Sequence, residues 1–290
     1  MHTAPHPSIL RLRLLLPLLL LLMGSATGCD PEVRVVGPEP GDTMVLFVGS
    51  SYFGWNDLTS LFANLSDAGG HSVFTGSVIQ YGYYLDYFAG NPQVAGRLAA
   101  EEWDFMLLQG VGVTTAYPET HHEILPGMTY HDVFAALETL QATAADSCPT
   151  AETIFQMPWA YEDGMTWVAG QTDTYFDMQQ HVYTNSMAWA DSLDLAVAPV
   201  GWAFRRIMQD QPVLHYLYDT DYNHPSLRGS YLMACVFYGI VFGEPSLGIE
   251  FYPGMEESEA RYLQAAADEV VFDPSEPWYP SEARGSGAHH

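Results

Sequence analysis

Short apolar runs alternate with longer amphipathic stretches from Met44 to about Phe272. Met44–Gly49 (MVLFVG) is apolar throughout and breaks at Gly49-Ser50-Ser51, as a strand buried on both faces does where it leaves a sheet. Asn56–Ala68 follows with Leu58, Leu61, Phe62 and Leu65 on one helical stripe, Asn56 as N-cap and Gly69-Gly70 as the stop. The same alternation predicts strands at Ser72–Ile79, Trp103–Gln109, Thr153–Met157 and Leu195–Ala198, and helices at Pro92–Glu101, Tyr130–Ala145 and Thr174–Ser192. A last helix begins near Pro225 and stops at Gly243. Buried strands separated by helices of about a dozen residues predict an α/β fold: three layers, α/β/α, around a central parallel five-stranded sheet. No internal repeat or second composition regime interrupts 44–272, which reads as one domain.

The segments outside that domain read differently. Arg11 and Arg13 precede LLLPLLLLLMGSATGC, an apolar run closed by small residues, so residues 1–28 are expected to be a secretory signal. The run contains Pro17 and is shorter than the ~20 residues a membrane span needs. Ala26-Thr27-Gly28-Cys29 resembles the lipobox of bacterial lipoproteins, which makes Cys29 the expected lipidation site, although a leucine is usual where Ala26 stands. Ordinary cleavage near Thr27 or Gly28 is the alternative. Either way the chain is expected outside the cytoplasm, in the bacterial cell envelope or secreted. Residues 29–43, rich in proline and glycine, read as a tether, and 273–290 as a loose tail.

Charge narrows the partners. The 290 residues carry 35 acidic side chains, nine arginines and no lysine, for a formal net charge of −26. Such a surface repels phosphate backbones and anionic headgroups, so nucleic acid is not an expected partner, and membrane contact is expected only through an anchor at Cys29. Cys148 and Cys235 could form one disulfide, and sequence leaves their proximity open.

Chemistry concentrates at two places. Ser51 stands at the carboxyl end of the first strand, the crevice in which open α/β sheets bind ligands. A serine nucleophile needs a base within hydrogen-bond reach, and that base needs an orienting group. Leu217–Gly243 (LYDTDYNHPSLRGSYLMACVFYGIVFG) offers both, since His224 lies in a loop before a helix and Asp221 is three residues upstream. Ser51, His224 and Asp221 can act together only if the two segments converge at one sheet edge.

These blocks resemble the SGNH (GDSL-type) hydrolases, in particular a bacterial branch whose nucleophile block reads like Gly-Asn-Ser-Tyr-Thr. Here that block is Gly49-Ser50-Ser51-Tyr52-Phe53, with Ser51 at the nucleophile position. The family's Asp-x-x-His, Pro-Ser and Gly-x-Tyr-Leu are matched by Asp221, His224, Pro225, Ser226, Gly229, Tyr231 and Leu232. The resemblance implies a flavodoxin-like fold and a serine esterase that uses no metal or cofactor. It also implies an oxyanion hole from the Ser51 N–H, the Gly82 N–H and a side-chain amide after the third strand. The superfamily's Gly-x-Asn-Asp is absent, and Gln109 stands where the asparagine would be. O-acetyl groups on carbohydrate are the implied substrates, ahead of short-chain lipid esters; a degenerate member that binds glycan or an envelope partner without turnover is the rival reading.

Trp159 and Tyr161, after the fourth strand, could line a sugar pocket by stacking or could belong to the core. Trp202 raises the same question after the fifth strand. His121 and His122 with Glu119 and Glu123 lack a helical i, i+4 frame and read as a solvated loop rather than a metal cluster.

Overall fold

The structure, a computed structural model, describes residues 37–120, 129–167, 172, 174–210 and 213–278. The expected signal, Cys29 and the His121-His122 pair of the expected solvated loop lie outside them. Strands β1 (Thr43–Gly49), β2 (Val73–Ile79), β3 (Phe105–Gln109), β4 (Glu152–Gln156) and β5 (Ala196–Ala198) pair in parallel in the order β2-β1-β3-β4-β5. This is the expected five-stranded parallel sheet, and the order places the reversal of direction between β1 and β3.

On one face pack α2 (Leu58–Ala68), α8 (Val200–Asp210), α9 (Leu227–Phe242) and α10 (Glu257–Val271); on the other, α3 (Leu85–Ala89), α4 (Pro92–Leu98), α5 (Gly112–Ala116), α6 (Tyr130–Ser147) and α7 (Tyr175–Leu193). The β1 side chains Val45–Val48 are fully buried, because helices cover both sides of the strand. A four-residue helix, α1 (Ser51–Gly54), and a 3₁₀ turn, Trp55–Asp57, connect β1 to α2.

Several boundaries move, each for a local reason. Asn56 does not cap α2: its φ is +54°, Asp57 holds the cap position at φ +51°, and the Asn56 amide donates instead to Pro225 O (3.0 Å) and Ser230 Oγ (2.9 Å). The helix expected to be last is α9, and α10 follows it; Pro225 lies before α9, whose N-cap is Ser226, the Ser226 hydroxyl accepts the Gly229 N–H, and Gly243 closes the helix at φ +66°. The expected loose tail begins too early, because Trp278 is buried and its indole donates to Val270 O at 2.9 Å. Cys148 and Cys235 are separate buried thiols. Among the described residues no helix is long and apolar enough to cross a membrane.

Candidate active site

At the end of β1 the chain must turn at once into α1, and it does so over Gln109. The Gln109 Oε1 accepts the N–H of Ser50 (2.8 Å) and of Phe53 (3.1 Å), while its Nε2 donates to Ser50 Oγ (2.9 Å). A Cβ on Gly49 would stand 2.4 Å from the Gln109 Cβ, so only glycine lets the two strand ends approach this closely. The turn presents Ser51 as the first residue of α1, where its N–H has no acceptor inside the helix.

The loop between α8 and α9 brings the partners. Asp219 N donates to His224 O (2.7 Å), closing residues 219–224 into a tight turn, and Asp221 Oδ1 accepts the N–H of Asn223 (3.1 Å) and of His224 (2.9 Å). Across this turn Asp221 Oδ2 lies 2.5 Å from His224 Nδ1, and His224 Nε2 lies 2.7 Å from Ser51 Oγ. The three side chains therefore form one continuous hydrogen-bonded chain. Partial burial would raise the Asp221 carboxyl, but the hydrogen bond to the His224 ring and the two N–H bonds outweigh it and hold it below the ordinary carboxylate value.

A shallow cleft of about 160 Å³ opens over Ser51. Gly82, Tyr83, Tyr84, Val111, Tyr161 and Asn223 are among its walls. Gly82, at φ +79°, has the left-handed conformation that glycine adopts freely. Burial pushes the Tyr161 phenol up to about 12 and raises that of Tyr84, so both present O–H groups, not phenolates, at neutral pH.

Gln109 does not line the cleft, and Trp159 takes the core alternative. Gln109 is buried beneath the nucleophile turn, where one of its two Nε2–H donors goes to Ser50 Oγ, so it braces the turn. Trp159 is fully buried, stacked between Tyr52 (4.5 Å) and Phe204 (4.6 Å), and its indole donates to Asn223 O at 2.9 Å. It supports the His224 loop from below and offers no face to a sugar. Tyr161 does line the cleft. Trp202 packs against Tyr183 at 4.4 Å, away from it.

Asn223 and Trp55 were not singled out by the sequence. The Asn223 Oδ1 accepts from the buried Tyr52 hydroxyl, and Asn223 lines the cleft. Its place one residue before His224 was the available signal. The Trp55 ring stacks on His224 with centroids 4.2 Å apart.

A strand-end serine, a loop imidazole and a carboxylate on one edge of a 2-1-3-4-5 parallel sheet invite comparison with known folds. The chain has the fold of the SGNH hydrolases. An SGNH hydrolase candidate from Slackia heliotrinireducens superposes with a TM-score of 0.51 at 21% identity, covering 68% of this chain and 97% of that one. A DUF4886 family protein from Bacteroides uniformis superposes with a TM-score of 0.65 at 16% identity, over 81% of this chain and 96% of that one. An alpha/beta hydrolase enzyme from the metagenome of Lake Arreo, Spain, gives 0.51 at 15% identity, over 69% and 95%. No family model matches the sequence, and no curated protein matches it. At these identities the likeness to SGNH hydrolases is one of fold.

Proposed function

We propose that the protein is an exported serine esterase that removes short acyl groups, O-acetyl groups on carbohydrate first among them. The observation that carries the reading is the unbroken chain from Asp221 through His224 to Ser51, at 2.5 and 2.7 Å. In this mechanism Ser51 Oγ attacks the ester carbonyl as its proton passes to His224 Nε2. The Asp221 carboxylate fixes the ring and stabilises the imidazolium. Collapse of the tetrahedral intermediate expels the alcohol, which takes the proton from His224. Water then attacks the acyl-enzyme by the same route, releasing the acid and restoring Ser51.

The N–H groups of Ser51 and Gly82 hold the developing oxyanion, and the Asn223 amino group supplies the side-chain amide first expected from Gln109. The cleft's size favours a small acyl group, and Tyr83 at its rim, 44% exposed, offers a ring to a sugar. The acyl-enzyme needs no metal or cofactor. Cys29 anchors the mature chain to the membrane, and Cys29→Ser should release it from the membrane fraction and abolish fatty-acid labelling.

Covalent labelling by a fluorophosphonate, located by mass spectrometry, tests the centre. The label should fall on Ser51, and Ser51→Ala should lose both the label and hydrolysis of p-nitrophenyl acetate while keeping its circular dichroism. A protein that binds acetylated glycan but neither labels nor hydrolyses any ester would be the non-catalytic binder instead.

A further inference from the structure

The turn that follows the nucleophile is built at a cost. Asn56 and Asp57 are consecutive non-glycine residues in the left-handed region, at φ +54° and +51°, a conformation that persists only where surrounding structure enforces it. That enforcement comes from the far end of the chain. The Asn56 amide donates to Pro225 O, directly after His224, and to Ser230 Oγ in α9. The Trp55 indole N–H donates to Asp219 Oδ2 at 3.3 Å, at the other end of the same loop.

Held at both ends, the Trp55 ring lies on the His224 imidazole with centroids 4.2 Å apart and planes 20° from parallel. The Tyr52 ring meets the imidazole edge-on at 5.5 Å. Trp55 is not among the residues lining the cleft, so its contact is with the base and not with substrate.

We propose that Trp55 is a positioning residue for His224. Its ring fixes the plane in which Nε2 meets Ser51, and its π face stabilises the imidazolium that forms as the serine proton is taken. An aromatic face attracts a cation across such a separation, most strongly when that face is tryptophan. The attraction exists only once the ring is charged, so it acts on the transition state and not on substrate binding.

The inference rests on His224 being the base, and kinetics with p-nitrophenyl acetate can separate the two. Trp55→Leu should lower kcat about tenfold or more with KM nearly unchanged, and slow fluorophosphonate labelling of Ser51 in parallel. Trp55→Phe, which keeps a ring but loses the bond to Asp219, should recover most of the activity. In the NMR spectrum of the wild type the His224 Cε1–H should be shifted upfield by the indole ring current. It should return towards its ordinary position in Trp55→Leu. Four results would overturn the proposal: an unshifted wild-type resonance, full kcat in a folded Trp55→Leu, a rise in KM alone, or a Phe variant as poor as Leu. A wild type that neither labels at Ser51 nor hydrolyses esters would remove the esterase reading and this inference together. A wild type that labels normally, with a Trp55→Leu equally fast, removes this inference alone.

Discussion

Gln109 shows how the position of a side chain can be legible in the sequence when its contacts are not. The sequence places an amide at the carboxyl end of the third strand, but not which way the amide faces. Ser50 decides that, because its N–H and hydroxyl together take up both ends of the Gln109 amide. Gln109→Ala should therefore leave buried N–H groups of the turn unsatisfied, at about 1–3 kcal/mol for each. A urea melt should register a lower midpoint alongside the loss of kcat; a fall in kcat with unchanged stability would return Gln109 to the oxyanion hole. Asp221 permits a sharper statement on pH. Its folded-state value is depressed, so its contribution to stability is present above the unfolded carboxylate value of about 3.9 and is lost as pH falls through the lower folded value. The carboxylate thus remains ionised throughout the range of an ordinary ester assay. Asp221→Asn, which removes the negative charge and the acceptor at Nδ1, should cost a thousandfold or more in kcat, on the order seen when such an orienting carboxylate is neutralised. A pH–rate profile with unimpaired turnover in Asp221→Asn would contradict the assignment of the orienting group.

Among the elements, the strands were the most legible, since β1 and β3 are buried on both sides and carry the apolar runs Met44–Val48 and Phe105–Leu108. The long helices α6 and α7 were legible for a complementary reason, their apolar stripes spanning several turns. Helices of four or five residues, α1, α3 and α5, complete barely one turn and leave no period to detect. The cap at Asn56 was inferred from residue type, whereas a positive φ imposed by contacts to residues 225 and 230 has no local signature. Two glycines test how well local conformation is understood. Gly96 sits exposed inside α4 with nothing within 4 Å of an added Cβ, so Gly96→Ala should stabilise the protein by about 0.5–1 kcal/mol in a denaturant titration. Gly49→Ala would drive its methyl into Gln109, and should destabilise by about 1–3 kcal/mol while disordering the nucleophile turn. Equal stabilities for the two variants would mean that the β1–β3 contact can relax in a way the packing does not suggest.

For the molecule as a whole, the alternation of strands and helices predicted a parallel sheet, while the spatial order of its strands arises from crossovers that leave no pattern in the residues. Global charge is legible at once and has a direct consequence. Arg206, Arg228 and Arg261 pair with nearby carboxylates, but exposed pairs of this kind contribute little, and a net charge of −26 repels itself. The melting temperature should therefore rise as sodium chloride is added from low ionic strength, measured by scanning calorimetry. A falling melting temperature would indicate that the ion pairs outweigh the repulsion. The bond from His224 to Ser51 joins residues 173 positions apart, near the two ends of the folded body. During synthesis the serine is in place early, but it has no base until the loop before α9 has emerged and docked. A truncated or half-folded chain would thus carry an inert hydroxyl, and the rate at which a refolding sample becomes reactive toward fluorophosphonate would time the closing step of folding itself.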